Sequence, residues 1–110
     1  MYFTIAQKIA IASAVISIIN ADHEITVEEH QQYNHLAKTF HITEDMHTSA
    51  LGLSLTHACG IISRLKDNQK RYVGKLLADF VDCDGDDDDI EIQVFNTICI
   101  VSGIEQAFDD

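Results

Sequence analysis

A chain of 110 residues and 12.3 kDa with 46% hydrophobic residues has room for one domain, 1–110, with a buried core, which excludes a disordered chain. Eighteen acidic residues against seven basic ones give a net charge of −11, a field that repels phosphate backbones and anionic lipid surfaces, so nucleic acid is excluded as a partner. With no proline, no tryptophan and five glycines, the chain lacks the turn chemistry of a sandwich or barrel, and the starting expectation is all-α.

The first element is the apolar run from Ile9 to Ile19 behind Lys8. It is too short to cross a bilayer, which takes roughly 20 residues, and its flank is a poor signal-peptide cleavage site, so the expectation is a buried first helix and no membrane span. Being hydrophobic nearly all round, that helix must be enclosed on several sides. Thr26-Val27-Glu28-Glu29 is a capping box: the Thr26 hydroxyl accepts from the amide at the third helical position while Glu29 reaches back. It opens a second helix from Val27 to Phe40, with Tyr33, Leu36, Ala37 and Phe40 in helical period. Thr43 followed by Glu44 and Asp45 starts a third that ends at Gly52. Ser54 caps a fourth running to about Leu65, with Leu55, Ala58, Ile61, Ile62 and Leu65 on one stripe. Within it, His57 is placed in the core or at its rim. Asp67 caps a fifth, from Asn68 to Val81.

Ile90-Glu91-Ile92-Gln93-Val94 alternates as a strand would. The ambiguity is resolved by an internal repeat. At a shift of 62 positions Asp22 falls on Asp84, Lys8 on Lys70, Ile11 on Val73, Ile18 and Ile19 on Phe80 and Val81, Glu29 on Glu91, Tyr33 on Phe95, Leu36 on Ile98 and Ile42 on Ile104. Ile90 to Ser102 is therefore expected to be helical. The fold expected is a compact bundle of about six helices containing two copies of helix, acidic loop, helix, with the first and fifth helices at its centre.

The repeated pattern has a family likeness. Ala21, Asp22, Glu24, Ile25, Thr26 and Glu29 at the end of an apolar helix, matched by Asp84-Gly85-Asp86 and Glu91, resemble the TerB-like family, which includes the tellurite-resistance protein TerB and the N-terminal domain of the DjlA co-chaperone. The likeness covers about Lys8 to Ile104. It implies a helical, cytoplasmic, stress-response type of protein with an acidic surface associated with divalent cations and no catalytic activity. His23 stands where the family usually has glycine, and Asp87 where it has an apolar residue.

The junctions carry their own chemistry. From Leu76 to Asp110 there are eleven acids and no lysine or arginine, whereas five of the seven basic residues fall between Arg64 and Lys75. Capping of the following helix accounts for Asp22, Glu28 and Glu29, since negative charge at a helix start is favourable by roughly 0.3 to 1 kcal/mol. Six carboxylates between Asp82 and Asp89 repel one another more strongly than one helix start offsets, and a hard cation such as Ca2+ relieves that repulsion. Two readings follow. One is a divalent-cation site at Asp84, Asp86, Asp88 and Glu91, with a second at Asp22, Glu24 and Glu29. The other is a set of solvated, capping acids that docks a basic protein partner without an ion. A homo-oligomer is compatible with either.

An enzyme is not expected. An EF-hand starting at Asp82 fails, because Asp87 replaces the glycine and Gln93 the closing glutamate. There is no H-E-x-x-H, and the single Glu44-x-x-His47 falls short of a di-iron set. No nucleophile elbow or phosphate loop is present. Cys59, Cys83 and Cys99 form no C-x-x-C pair, which suits a reducing cytosol, and Cys83 and Cys99 take the places of Ala21 and Ala37 in the repeat as small packing residues.

Overall fold

The computed structural model describes residues 1–21, 25–82 and 89–108. Thr4 opens the first helix, α1 (Ile5–Ile19), four residues earlier than its apolar run, through a capping box with Gln7. After the first acidic junction come α2 (Val27–Thr39) and α3 (Glu44–Gly52), each starting at its expected cap, Thr26 and Thr43. Ser54 caps α4 (Leu55–Ile62), which stops short of Leu65. The second half contains α5 (Asp67–Asp82), α6 (Asp89–Val101) and a one-turn α7 (Ile104–Ala107). Asp67 is the first residue of α5 instead of its cap: the amide of Lys66 donates to Gln69 Oε1 at 3.0 Å, so Lys66 takes the capping position. The described residues are all helix and connections, with no strand, and Ile90–Val94 lies within α6.

The repeat governs the architecture. Shifted by 62 positions, the start of α1 coincides with that of α5, and both ends of α2 coincide with those of α6. Thr4 and Gln7 fall on Lys66 and Gln69, and the amide-to-glutamine bond recurs at 2.9 and 3.0 Å. Ile11 and Val73, Val15 and Leu77, and Ile18 and Phe80 are all fully buried. The backbone agrees where it is most constrained. His41, just past the end of α2, has φ +54°, and its equivalent Gly103, just past α6, has φ +76°. Both amides return to the preceding helix at 3.3 Å, His41 to Lys38 O and Gly103 to Ile100 O. The amide of Ile42 reaches Ala37 O at 2.8 Å, which completes the paired bonds of a left-handed helix stop.

The two halves are not placed alike. Residues Ala10 to Val15 of α1 are all buried, and α1 packs against α3, α4, α5 and α6. That is the enclosure required of a helix without a polar face. By contrast, α5 is amphipathic: Val73, Leu77, Phe80 and Val81 point inward while Lys75 and Asp79 are exposed. The centre is thus α1, with α5 as one of its walls. His57 is exposed, contrary to the core or rim position expected of it, because α4 turns Ala58, Cys59 and Ile62 inward and leaves the preceding residue outside. Phe3, Phe40 and Tyr72 form an aromatic cluster, with ring centroids 5.7 to 6.3 Å apart, that ties the N-terminus to the end of α2 and to α5.

Two outcomes follow from this packing. Val15→Asp or Leu77→Asp places an unpaired charge where no water reaches, a cost of more than about 4 kcal/mol, and circular dichroism will find each variant unfolded. His41→Gly removes a left-handed strain of about 1–2 kcal/mol against a smaller entropic loss, so urea denaturation will show a gain of roughly 0.5–1 kcal/mol. Gly103→Ala will show a loss of about 1 kcal/mol at the equivalent bend.

Candidate functional site

Of the seven junction acids singled out from the sequence, Glu29 and Glu91 lie within the described residues; Asp22, Glu24, Asp84, Asp86 and Asp88 lie outside them. Each described acid is the third residue of its helix, Glu29 in α2 and Glu91 in α6, and they are 0% and 1% exposed. Carboxylates are almost never buried this completely without a specific set of partners.

The capping box places Glu29. The amide of Thr26 donates to Glu29 Oε1 at 3.0 Å, and the amide of Glu29 donates to Thr26 Oγ1 at 3.1 Å. This fixes the carboxyl over the start of α2, beside the junction that carries Asp22 and Glu24. Its second oxygen, Oε2, is buried and has no hydrogen-bond partner among the described residues. A cap uses one carboxylate oxygen. The other is left in a position where a buried acceptor costs about 1–3 kcal/mol or more unless something binds it. Among the described residues, no three of His, Cys, Asp and Glu converge to hold a metal ion, since each of the two expected sets contributes one described member.

Two features outside the junctions were not legible from spacing. His47 Nδ1 lies 2.7 Å from the Tyr33 hydroxyl, and the two rings meet edge to face at 5.4 Å. This pair couples α2 to α3 beside a cleft of about 360 Å3 walled by Ile16, Ile19 and Leu51. Burial raises the Tyr33 phenol above its usual value. The two residues are 14 apart in sequence, and nothing in Glu44-x-x-His47 points to a tyrosine partner.

The second feature is a larger cleft of about 690 Å3 between α5, α6 and α7, with Ala78, Phe95 and Cys99 on its walls. Burial pushes the Cys99 thiol up to about 11, helped by the negative charge of Glu105 and by Cys59. Burial raises the Cys59 thiol as well. Both cysteines are therefore thiols near neutrality, and neither is an activated nucleophile. Arg71 Nη1 donates to Ala107 O at 3.0 Å and pins α7 against α5. Gly74 allows the close approach, because a Cβ there would lie 2.8 Å from both Ile104 Cγ2 and Phe108 Cε2.

No known protein family matches the chain, and no curated protein matches it either. A crystal structure of a protein of unknown function from Porphyromonas gingivalis is similar in fold, with a TM-score of 0.76 and 24% identity over 99% of this chain and 95% of that one. The helical arrangement is thus found in a second protein, and the likeness concerns the fold alone.

The raised Cys99 value has a direct consequence. A thiol held protonated in the folded state stabilises the fold fully below its unfolded value near 9, and that contribution is lost as pH rises from about 9 toward 11. Thermal melts of wild type and Cys99→Ala across this range will diverge, with the wild type losing more stability.

Proposed function

We propose that this chain is a non-enzymatic binding module of the TerB-like, stress-response type, which holds a divalent cation such as Ca2+ at its acidic helix junctions. The observation that carries the reading is Glu29, fully buried with one oxygen spent on the cap and the other unpartnered among the described residues. Glu91 occupies the equivalent place in α6 and is equally enclosed, so the burial of the third helical residue belongs to both halves. The fit is to a hard cation, because the donors the junctions offer are carboxylate oxygens. Asp22 and Glu24 with Glu29 form one set, and Asp84, Asp86 and Asp88 with Glu91 the other.

In this reading the protein's own residues do three things. The capping box holds the buried Glu29 carboxyl in place, the junction acids supply the remaining charge, and the helices on either side of each junction stiffen when that charge is neutralised. A reducing, cytoplasmic setting accords with three cysteines that form no C-x-x-C pair, and no helix among the described residues is long and apolar enough to cross a membrane. The competing reading, an acidic surface that docks a basic protein without an ion, differs in one measurable respect. It gives no cation-specific stabilisation.

Calorimetric titration and thermal melts with Ca2+, Mg2+, Mn2+ and Zn2+, at matched ionic strength, test the proposal. A cation at 100 times its Kd will stabilise the fold by about 2.7 kcal/mol. Glu29→Gln keeps the capping acceptor but loses the charge, so it and Glu91→Gln will each reduce the gain, and the double variant will abolish it. Equal melting temperatures in the divalent salts and in sodium chloride of the same ionic strength would overturn the cation site.

A further inference from the structure

The repeat matches α2 to α6 residue for residue, and the outer faces of the two helices differ in kind. On α2 that face carries Glu28, Gln31, Gln32, His35, Lys38 and Thr39, all polar or charged and, apart from the half-buried Gln32, exposed. The same positions of α6, 62 residues on, hold Ile90, Gln93, Val94, Thr97, Ile100 and Val101, with the same pattern of exposure. From Ile90 to Val101 the one charged residue is Glu91, which is buried. An uncharged outer face is out of character for a surface helix in a chain of net charge −11. Packing within the bundle does not account for it: Ile90 is 49% and Val101 55% exposed, and the equivalent face of α2 stays exposed although five further helices follow it in the chain. Four of these residues form a stripe. Ile90, Val94, Thr97 and Val101 are spaced 4, 3 and 4 apart, which at about 100° per residue sets them in a narrow arc of the helix surface. The Thr97 hydroxyl donates to Gln93 O at 2.9 Å within the helix, so it brings no unsatisfied donor to the stripe.

We propose that this stripe is the contact surface of a symmetric dimer, in which α6 packs antiparallel against α6 of a second copy of the chain. The spacing selects the occupant. Gaps of 4, 3 and 4 read the same in either direction, so in an antiparallel pair Ile90 meets Val101 of the second copy and Val94 meets Thr97, each contact being made twice about one two-fold axis. Charge points the same way. The exposed residues from Ile90 to Val101 bear none, so like charges do not meet along the stripe, and a strongly basic or acidic partner would find nothing on it to pair with. Repulsion between two molecules of net charge −11 is long-range and is screened beyond about 8 Å at physiological salt, so it weakens the pair without forbidding it. Eleven steps of about 1.5 Å make a contact only some three turns long. So short an interface gives a weak dimer, with a Kd on the order of 10–100 µM. The inference is independent of the cation reading, because Glu91 is buried and takes no part in the stripe.

The test is sedimentation of the full chain from about 5 µM to about 1 mM, across which 12.3 kDa monomers are expected to give way to a species of twice that mass. In a 15N-labelled sample the amide resonances of Val94, Thr97 and Val101 are expected to move with concentration, while those of Gln32, His35 and Thr39 on α2 stay fixed. Ile90→Glu and Val101→Lys, both at exposed positions, are expected to weaken the dimer at least tenfold each, with the circular dichroism of the wild type retained. Combined in one chain they set the acid of each copy against the base of the other, and affinity is expected to recover at least threefold over either single change. A monomer at every concentration would overturn the proposal and leave the face to a different protein. So would a dimer that neither single change weakens or whose concentration-dependent shifts lie off α6, which would put the contact elsewhere. A double variant no tighter than the single ones would overturn the antiparallel register.

Discussion

The structure depends on enclosing a helix that has no outside. Ala10 to Val15 of α1 are buried in succession, so every turn of the helix's middle needs a neighbour on every side. Four other helices supply that cover. At roughly 25 cal/mol per Å2 of apolar surface removed from water, burial of this kind is the dominant favourable term in so small a chain. It also determines why the two halves of the repeat are used unequally. The first half supplies the helix to be covered, and the second half supplies part of the cover.

A duplicated unit used asymmetrically leaves some surfaces satisfied twice and others once. The junction carboxyls belong to the first kind: Glu29 and Glu91 are buried in the same way at the same helical position. The flank of the second helix pair belongs to the other kind. There Tyr33 is replaced by Phe95 and Ser13 by Lys75. Phe95 lacks the hydroxyl through which Tyr33 meets His47, so that link between neighbouring helices belongs to the first half among the described residues. Packing diverges between the copies for this reason, even though each helix pair stops at a left-handed residue in the same register position, His41 and Gly103.

Much of this was legible in the amino-acid order, for identifiable reasons. Hydroxyl caps at Thr26, Thr43 and Ser54 marked helix starts because an orphan amide needs a local acceptor, and local chemistry reads directly from spacing. The repeat identified α6 as a helix where alternation alone favoured a strand. What escaped was non-local or carried by unusual residues. Lys66 is an improbable cap, and its role rests on Gln69 reaching back. The Tyr33–His47 contact and the cleft under α7 depend on how helices meet, which one-dimensional spacing does not encode. The acids at the junctions were conspicuous as charges, but the full burial of Glu29 was visible only in three dimensions.

A single turn such as α7 cannot hold itself together, because nucleating a helix costs more than one or two internal bonds return. Its order is borrowed from α5, through the guanidinium of Arg71 at its last carbonyl, the bare backbone of Gly74 beneath it, and the buried Ile104 and Ala107. One side of the cleft between α5, α6 and α7 is thus its least autonomous wall, and the width of its opening is tied to whether Arg71 holds the last carbonyl of that turn.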